Sequence, residues 1–180
     1  MTAEPVYIGH DDPVGRCERS GAVLVDLAPF GEPGFFEQLV VAPVEGLEVF
    51  EVRCVPLRAY GFSFGDEVGL GMTMMVERVV RRKGNRTLRV LLAPSAEHDG
   101  TAATFREEVD GRASALGLLF EWNGWGNVAI NVTTEQIAPV IECIGGYVDR
   151  GLAFWEWSET VPFKPPTSPW PHVWPEAPPE

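Results

Sequence analysis

Several residues in this chain are of types that could do chemistry. His10, Asp11, Asp12 and Cys17 are all metal-ligand types. Their spacing matches no ligand template, and Asp12-Pro13 signals a turn, so a solvated loop is the better account. Glu107, Glu108, Asp110 and Glu121 could supply an acid/base pair if burial or crowding split their pKa values. Glu107 lies three residues after Thr104 and is expected to complete a helix capping box; the others are expected on a solvated face. His98 and His172 fall in polar or proline-rich loops, with no Ser or Cys beside them in a nucleophile setting. An enzyme would therefore need a cleft around His10 or His98. Gly65, Gly69 and Gly71 do not complete a dinucleotide fingerprint, and no phosphate loop ending in Gly-Lys-Ser/Thr occurs. Neither a metal nor a cofactor is expected. Cys17, Cys54 and Cys143 are odd in number and far apart, which is no disulfide framework.

The binding candidates are more numerous. Arg78, Arg81, Arg82, Lys83, Arg86 and Arg89 place six of the fourteen basic residues within twelve positions of a chain whose net charge is −12. Ion pairs with neighbouring acids and protection of a sheet edge are the expected role. Contact with an anion or a partner through Arg81, Arg82, Lys83 and Arg86 is the minority reading. Trp125, in a glycine-flanked turn, has little core to join and is the first candidate for an interaction hot spot. Trp170 and Trp174 belong to a proline-rich tail that either folds back or meets a partner. Tyr60, Phe62, Phe64, Trp122, Trp155 and Trp157 are expected in the core rather than around a ligand. So acidic a surface opposes nucleic acid and anionic lipid and suits a basic protein partner. No apolar run approaches the ~20 residues of a membrane helix, and the first thirteen residues lack a signal-peptide core, so the cytoplasm is the expected compartment.

The elements that must position these residues follow from periodicity. Residues 1–34 read as a loose arm with a possible edge strand at Ala22 to Ala28. Phe36 to Val41 and Leu47 to Val55 read as a hairpin. Met72 to Arg82 is expected to pair with Leu88 to Leu92 across the turn Lys83-Gly84-Asn85. Phe105, Val109, Ala113 and Leu116 recur at helical spacing, as do Ile137, Val140, Ile141, Ile144 and Val148. Strands are expected at Leu118 to Trp122, Asn127 to Val132 and Leu152 to Ser158. The fold class is thus α+β. An antiparallel barrel-like β unit (35–92) is followed by a ferredoxin-like βαββαβ half (86–159), with the strand from Arg86 to Leu92 shared by both in one domain, 35–159. The Pro/Trp-rich tail occupies 160–180.

Glu37-Gln38-Leu39-Val40-Val41-Ala42-Pro43, Val55-Pro56-Leu57-Arg58-Ala59-Tyr60-Gly61-Phe62-Ser63-Phe64-Gly65-Asp66-Glu67-Val68 and the stretch from Val79 to Leu92 resemble the uncharacterised bacterial family known as domain of unknown function 4265. The resemblance covers about Phe36 to Glu159 and implies a small, bacterial, cytoplasmic protein; it carries no catalytic residues. The functional expectation is a non-enzymatic acidic protein-binding module, in its sharpest form an immunity-type inhibitor of a basic bacterial toxin. A small-ligand regulatory domain on the ferredoxin-like half, with a pocket lined by Phe120, Trp122 or Trp155, is the alternative.

Overall fold

A computed structural model describes residues 4–97, 100–124 and 126–158. Two sheets share the chain. The first contains β1 (Val6–Ile8), β2 (Gly21–Asp26), β3 (Phe35–Pro43), β4 (Phe50–Val52), β5 (Glu67–Leu70) and β6 (Val76–Arg81). β3 is its spine, with β2 antiparallel along one edge, and β1 and β4 sharing the other. β1 runs parallel to β3, so the sheet is mixed. It curls until Leu24 bridges to Met75, but it does not close into a barrel.

The second sheet follows the expected β-α-β-β-α-β sequence: β7 (Arg86–Leu92), α1 (Thr101–Ala115), β8 (Leu119–Asn123), β9 (Asn127–Val132), α2 (Ile137–Asp149) and β10 (Ala153–Trp157). Its strand order, β10-β7-β9-β8, is that of the ferredoxin-like sandwich, and the fold is α+β. Leu88, Val90, Val128 and Ile130 meet Phe105 and Val109 of α1 and Val140 and Ile144 of α2 in the larger core. Each such side chain contributes about 1.5–3 kcal/mol by leaving water. Pro139 falls in the first turn of α2, where its missing N–H has no partner to lose. α1 ends as its glycine requires: Gly117 takes φ +65° and Leu118 N–H reaches back to the Ala113 carbonyl.

Four expectations need correction. First, β6 and β7 are not a hairpin. They lie in different sheets, so β7 is not shared. The intervening residues form a corner because Asp66, buried, accepts the Lys83 N–H (2.7 Å) and the Ser63 N–H (2.9 Å), while the Asn85 amide donates to the Phe64 carbonyl (2.8 Å). Those bonds replace a cross-strand ladder. Second, an unbroken strand over Met72 to Arg82 would set Val76, Arg78 and Val80 on one face, and β6 does not do so. Bulges opposite β5 turn both Val76 and Val79 toward the core and leave Arg78 and Val80 outside. Third, α1 starts at Thr101 behind Gly100, so Thr104 and Glu107 form no capping box; the Thr104 hydroxyl donates to the Gly100 carbonyl instead. The capping box belongs to Thr133 and Gln136, before α2.

Fourth, the N-terminal segment carries the expected strand, as β2, but is not a loose arm. β2 pairs with β3 over six residues, and Val23, Val25 and Leu27 are buried. Gly15 N–H donates to the Arg53 carbonyl (3.0 Å) and Arg53 Nε donates to the Gly15 carbonyl (2.8 Å). A Cβ on Gly15 would stand 2.5 Å from the Phe64 ring and 2.7 Å from the Arg53 carbonyl. Gly15→Ala is therefore expected to cost about 1–3 kcal/mol through overpacking. Urea unfolding measures it, and an unchanged midpoint would show that the segment is not clamped at this point.

Candidate functional site

The chain crosses from the first sheet toward the second between Arg53 and Tyr60 in a bent segment outside both sheets, whose backbone polar groups must be satisfied. Buried ionised side chains do this. Glu37, on β3 and wholly inaccessible, accepts the backbone N–H groups of Leu57 (2.7 Å), Arg58 (2.9 Å) and Ala59 (2.5 Å). Arg89, on β7 and 4% exposed, donates to the carbonyls of Pro56, Arg58 and Ala59. The N–H side of the crossing peptide thus meets an anion and the carbonyl side a cation. Glu121, on β8, accepts from Val55 N–H (2.8 Å) and Val14 N–H (3.2 Å).

His10 joins the two carboxylates. Its Nε2 lies 3.0 Å from Glu37 Oε1 and its Nδ1 2.5 Å from Glu121 Oε2, with the histidine side chain fully buried. Both ring nitrogens face carboxylate oxygens, so both must donate and the ring is an imidazolium. Burial alone would depress its pKa. Hydrogen bonding with the Glu121 and Glu37 carboxylates outweighs that and pushes it up to about 12. Burial likewise works against the Glu37 carboxylate, but the hydrogen bond and charge of His10, with the charge of Arg89, hold it below the ordinary range. Beyond Arg89, Glu156 receives its guanidinium (3.2 Å) and the Tyr60 hydroxyl (2.5 Å), and Arg89 lies 4.4 Å from the Tyr60 ring centroid. Burial pushes the Tyr60 and Glu156 groups up.

Cys54 completes the cluster. It is wholly buried, its sulfur accepts the Val40 N–H (3.3 Å), and burial pushes its thiol up. Thiol, imidazole and carboxylate are the ingredients of nucleophilic catalysis, but here the imidazolium has no lone pair left to take a thiol proton. The arrangement acts as an electrostatic brace between sheets. Among the described residues, no group of three or more His, Cys, Asp or Glu side chains is placed to hold a metal ion.

Sequence reasoning found His10 and Arg89 but placed them on the surface, put Glu121 on a solvated face, and missed Glu37. Asp11, Asp12 and Cys17 stay exposed and do not join His10. The basic stretch disperses. Arg81 and Lys83 both pair with Glu67, each at 2.8 Å, Arg82 stands 4.0 Å from Asp66, and the Arg86 guanidinium lies 4.1 Å from the Trp157 ring centroid. None of these four touches the brace. Trp125, Trp170, Trp174, His98 and His172 lie outside the described residues. No helix among the described residues is long and apolar enough to cross a membrane.

The profile of the family described as Domain of unknown function (DUF4265) matches residues 37–151. The chain belongs to this family. The DUF4265 match holds Glu37, Cys54, Arg89 and Glu121, whereas His10, the cation between the carboxylates, comes from the segment before it. No curated protein matches the chain in sequence. A crystal structure of a hypothetical protein from Neisseria gonorrhoeae is similar in fold, with a TM-score of 0.52 at 12% identity, over 78% of this chain and 93% of that one. At that identity the likeness concerns architecture alone.

Proposed function

We propose that this DUF4265 protein is a cytoplasmic, non-enzymatic binding module whose partner is another protein, in its sharpest form an immunity-type inhibitor of a basic bacterial toxin. One observation carries the reading. The convergent ionisable groups are committed to the internal brace, with His10 and Glu37 sealed from solvent, while a chain of net charge −12 displays acids such as Glu18, Glu45, Glu48 and Glu77 outside. A rigid acidic body of this kind steers basic partners electrostatically. The test is capture from a lysate of the native host with the tagged full chain, at low and high salt. A basic protein retained near one-to-one, and released as salt shortens the Debye length from about 10 Å at 0.1 M to about 3 Å at 1 M, is the expected result. Capture indifferent to salt, or no capture by folded protein, would overturn it.

A small-ligand reading has one observation in its favour, a groove of about 620 Å³ between α1 and α2 lined by Thr101, Thr104, Glu108, Cys143, Tyr147 and Arg150. It is not where the alternative placed its pocket. Phe120, Trp122 and Trp155 pack partly buried on the larger core, and the Trp122 indole N–H donates to Asp110 (2.8 Å).

A further inference from the structure

Three exposed apolar side chains of the first sheet, Leu47, Met72 and Met74, lie in turns at one of its ends. β4 lies between β3 and β5 and is antiparallel to both, so the β3–β4 turn and the β5–β6 turn leave the sheet at the same end. The first turn presents Leu47, 54% exposed. The second presents Met72, fully exposed, and Met74, 52% exposed, with Met75 half-buried behind them. A flexible, polarisable side chain repeated at a loop tip is a surface suited to enclosing a partner's apolar group.

The backbone at this tip is fixed rather than loose. Met74 takes φ +59°, the only positive φ at a non-glycine residue among those described. Such a conformation persists when its surroundings over-determine it, and it clusters at functional positions. Here Met74 N–H donates to the Gly71 carbonyl (3.0 Å), Gly71 N–H to the Met75 carbonyl (2.9 Å), and Leu24 N–H, from β2, to the Met74 carbonyl (3.3 Å). The tip is held in its presenting shape before any partner arrives, which lowers the ordering cost of binding.

Its turns are acidic. Residues 44–49 and 70–77 contain Glu45, Glu48 and Glu77, all exposed, and no lysine or arginine; the nearest cation along β6 is Arg78, which lies over Gly69. The Glu77 carboxylate folds over Gly71, into the space a Cβ there would take, which sets an acid against the methionines.

We propose that this end of the first sheet is the docking surface, and that it takes a cationic protein surface which inserts an apolar side chain among Met72, Met74 and Leu47. The proposal rests on the binding-module reading and names its partner chemistry. Apolar anchors at the centre with charges around them are the usual division of labour in an interface: the anchors set the dissociation rate and the rim sets encounter.

The probe is a 16-residue peptide alternating lysine and leucine, with a lysine–serine and a glutamate–leucine peptide as controls, titrated into full-length protein carrying 13C-labelled methionine methyls. The lysine–leucine peptide should shift the Met72 and Met74 methyl resonances saturably, and the controls should not. Paired Met72→Ser and Met74→Ser should weaken it at least about tenfold, with an unchanged thermal midpoint confirming the fold. Glu45→Gln with Glu48→Gln should flatten the salt dependence. Equal binding of the lysine–serine peptide, or indifference to the methionine changes, would overturn the proposal. In lysate capture, a Met72→Ser/Met74→Ser protein that retains the same basic partner with the same salt profile would remove this surface and leave the binding-module reading intact. Failure of the unaltered protein to capture anything removes both.

Discussion

Glu37→Ala is expected to destabilise the protein by about 3–5 kcal/mol, the cost of stripping one partner from a buried ion pair. The wholly buried carboxylate serves four donors: Leu57, Arg58 and Ala59 N–H and the His10 ring. Removing it orphans three N–H groups and leaves a buried imidazolium with one carboxylate in place of two. Much of a small domain's stability of about 5–15 kcal/mol would go, so unfolding in mild urea is the natural readout. Glu37→Gln is the companion variant. It keeps the shape and one carbonyl acceptor, loses the charge, and should cost less than alanine. A loss below about 1 kcal/mol for the alanine variant would mean that the crossing peptide is satisfied some other way.

The second large effect is a decline of stability on the alkaline side of pH 6.5. His10 is raised from 6.5 to about 12 in the folded chain. Its contribution is therefore complete below pH 6.5, where the unfolded histidine is protonated too, and is lost as pH rises toward 12. Across that window stability should fall by up to about 1.4 kcal/mol per pH unit. Between 6.5 and 8.5 the histidine dominates, because Cys54 starts from 9.0 and the raised tyrosines from 10.0, while the exposed Cys17 thiol, lowered chiefly by its hydrogen bond with Ser20, works in the opposite direction. On the acid side the sign reverses for Glu37. Its lowered pKa contributes above about 4.5 and is lost as pH falls through the depressed native value. Glu156, pushed up by burial, offsets part of that acid loss. Urea midpoints at pH 6.5, 7.5 and 8.5 test the alkaline limb, and His10→Gln should flatten it while lowering the value at pH 6.5. A flat limb in the unaltered protein would place an uncharged ring between the two carboxylates.

The ferredoxin-like half was legible because its periods are local. Phe105, Val109 and Ala113 mark one helix face, and Val128, Ile130 and Val132 one strand face, and both point into the larger core. What alternation does not say is whether the other face is wet. In β9 every residue is buried, because Val55 and Leu57 pack with Ala129 on the side away from the helices. Glu121 therefore reads as outward from its strand and is inward in the fold. Asn127 and Asn131, small amides on that same face and both buried, were the available hint. Period two likewise says nothing about which sheet a strand joins. Lys83-Gly84-Asn85 fits a hairpin as well as a corner, and Asp66, nearly twenty residues earlier, decides between them. The His10 brace was unreadable for a simpler reason. His10, Glu37 and Glu121 come from three distant segments, and no local pattern holds any two of them together.

That separation has a consequence for the order in which the molecule is made. Glu37 finds its backbone partners within 22 residues and His10 within 27, so this half of the brace can assemble once the first sixty residues are free of the ribosome. Glu121 lies 111 residues from His10. At about 5–20 residues per second, the ring waits roughly 6–20 s on a nascent chain for its second carboxylate. During synthesis the imidazole of the first sheet faces one acid only, and the second comes with β8, an edge strand that is held only once β9 has followed it.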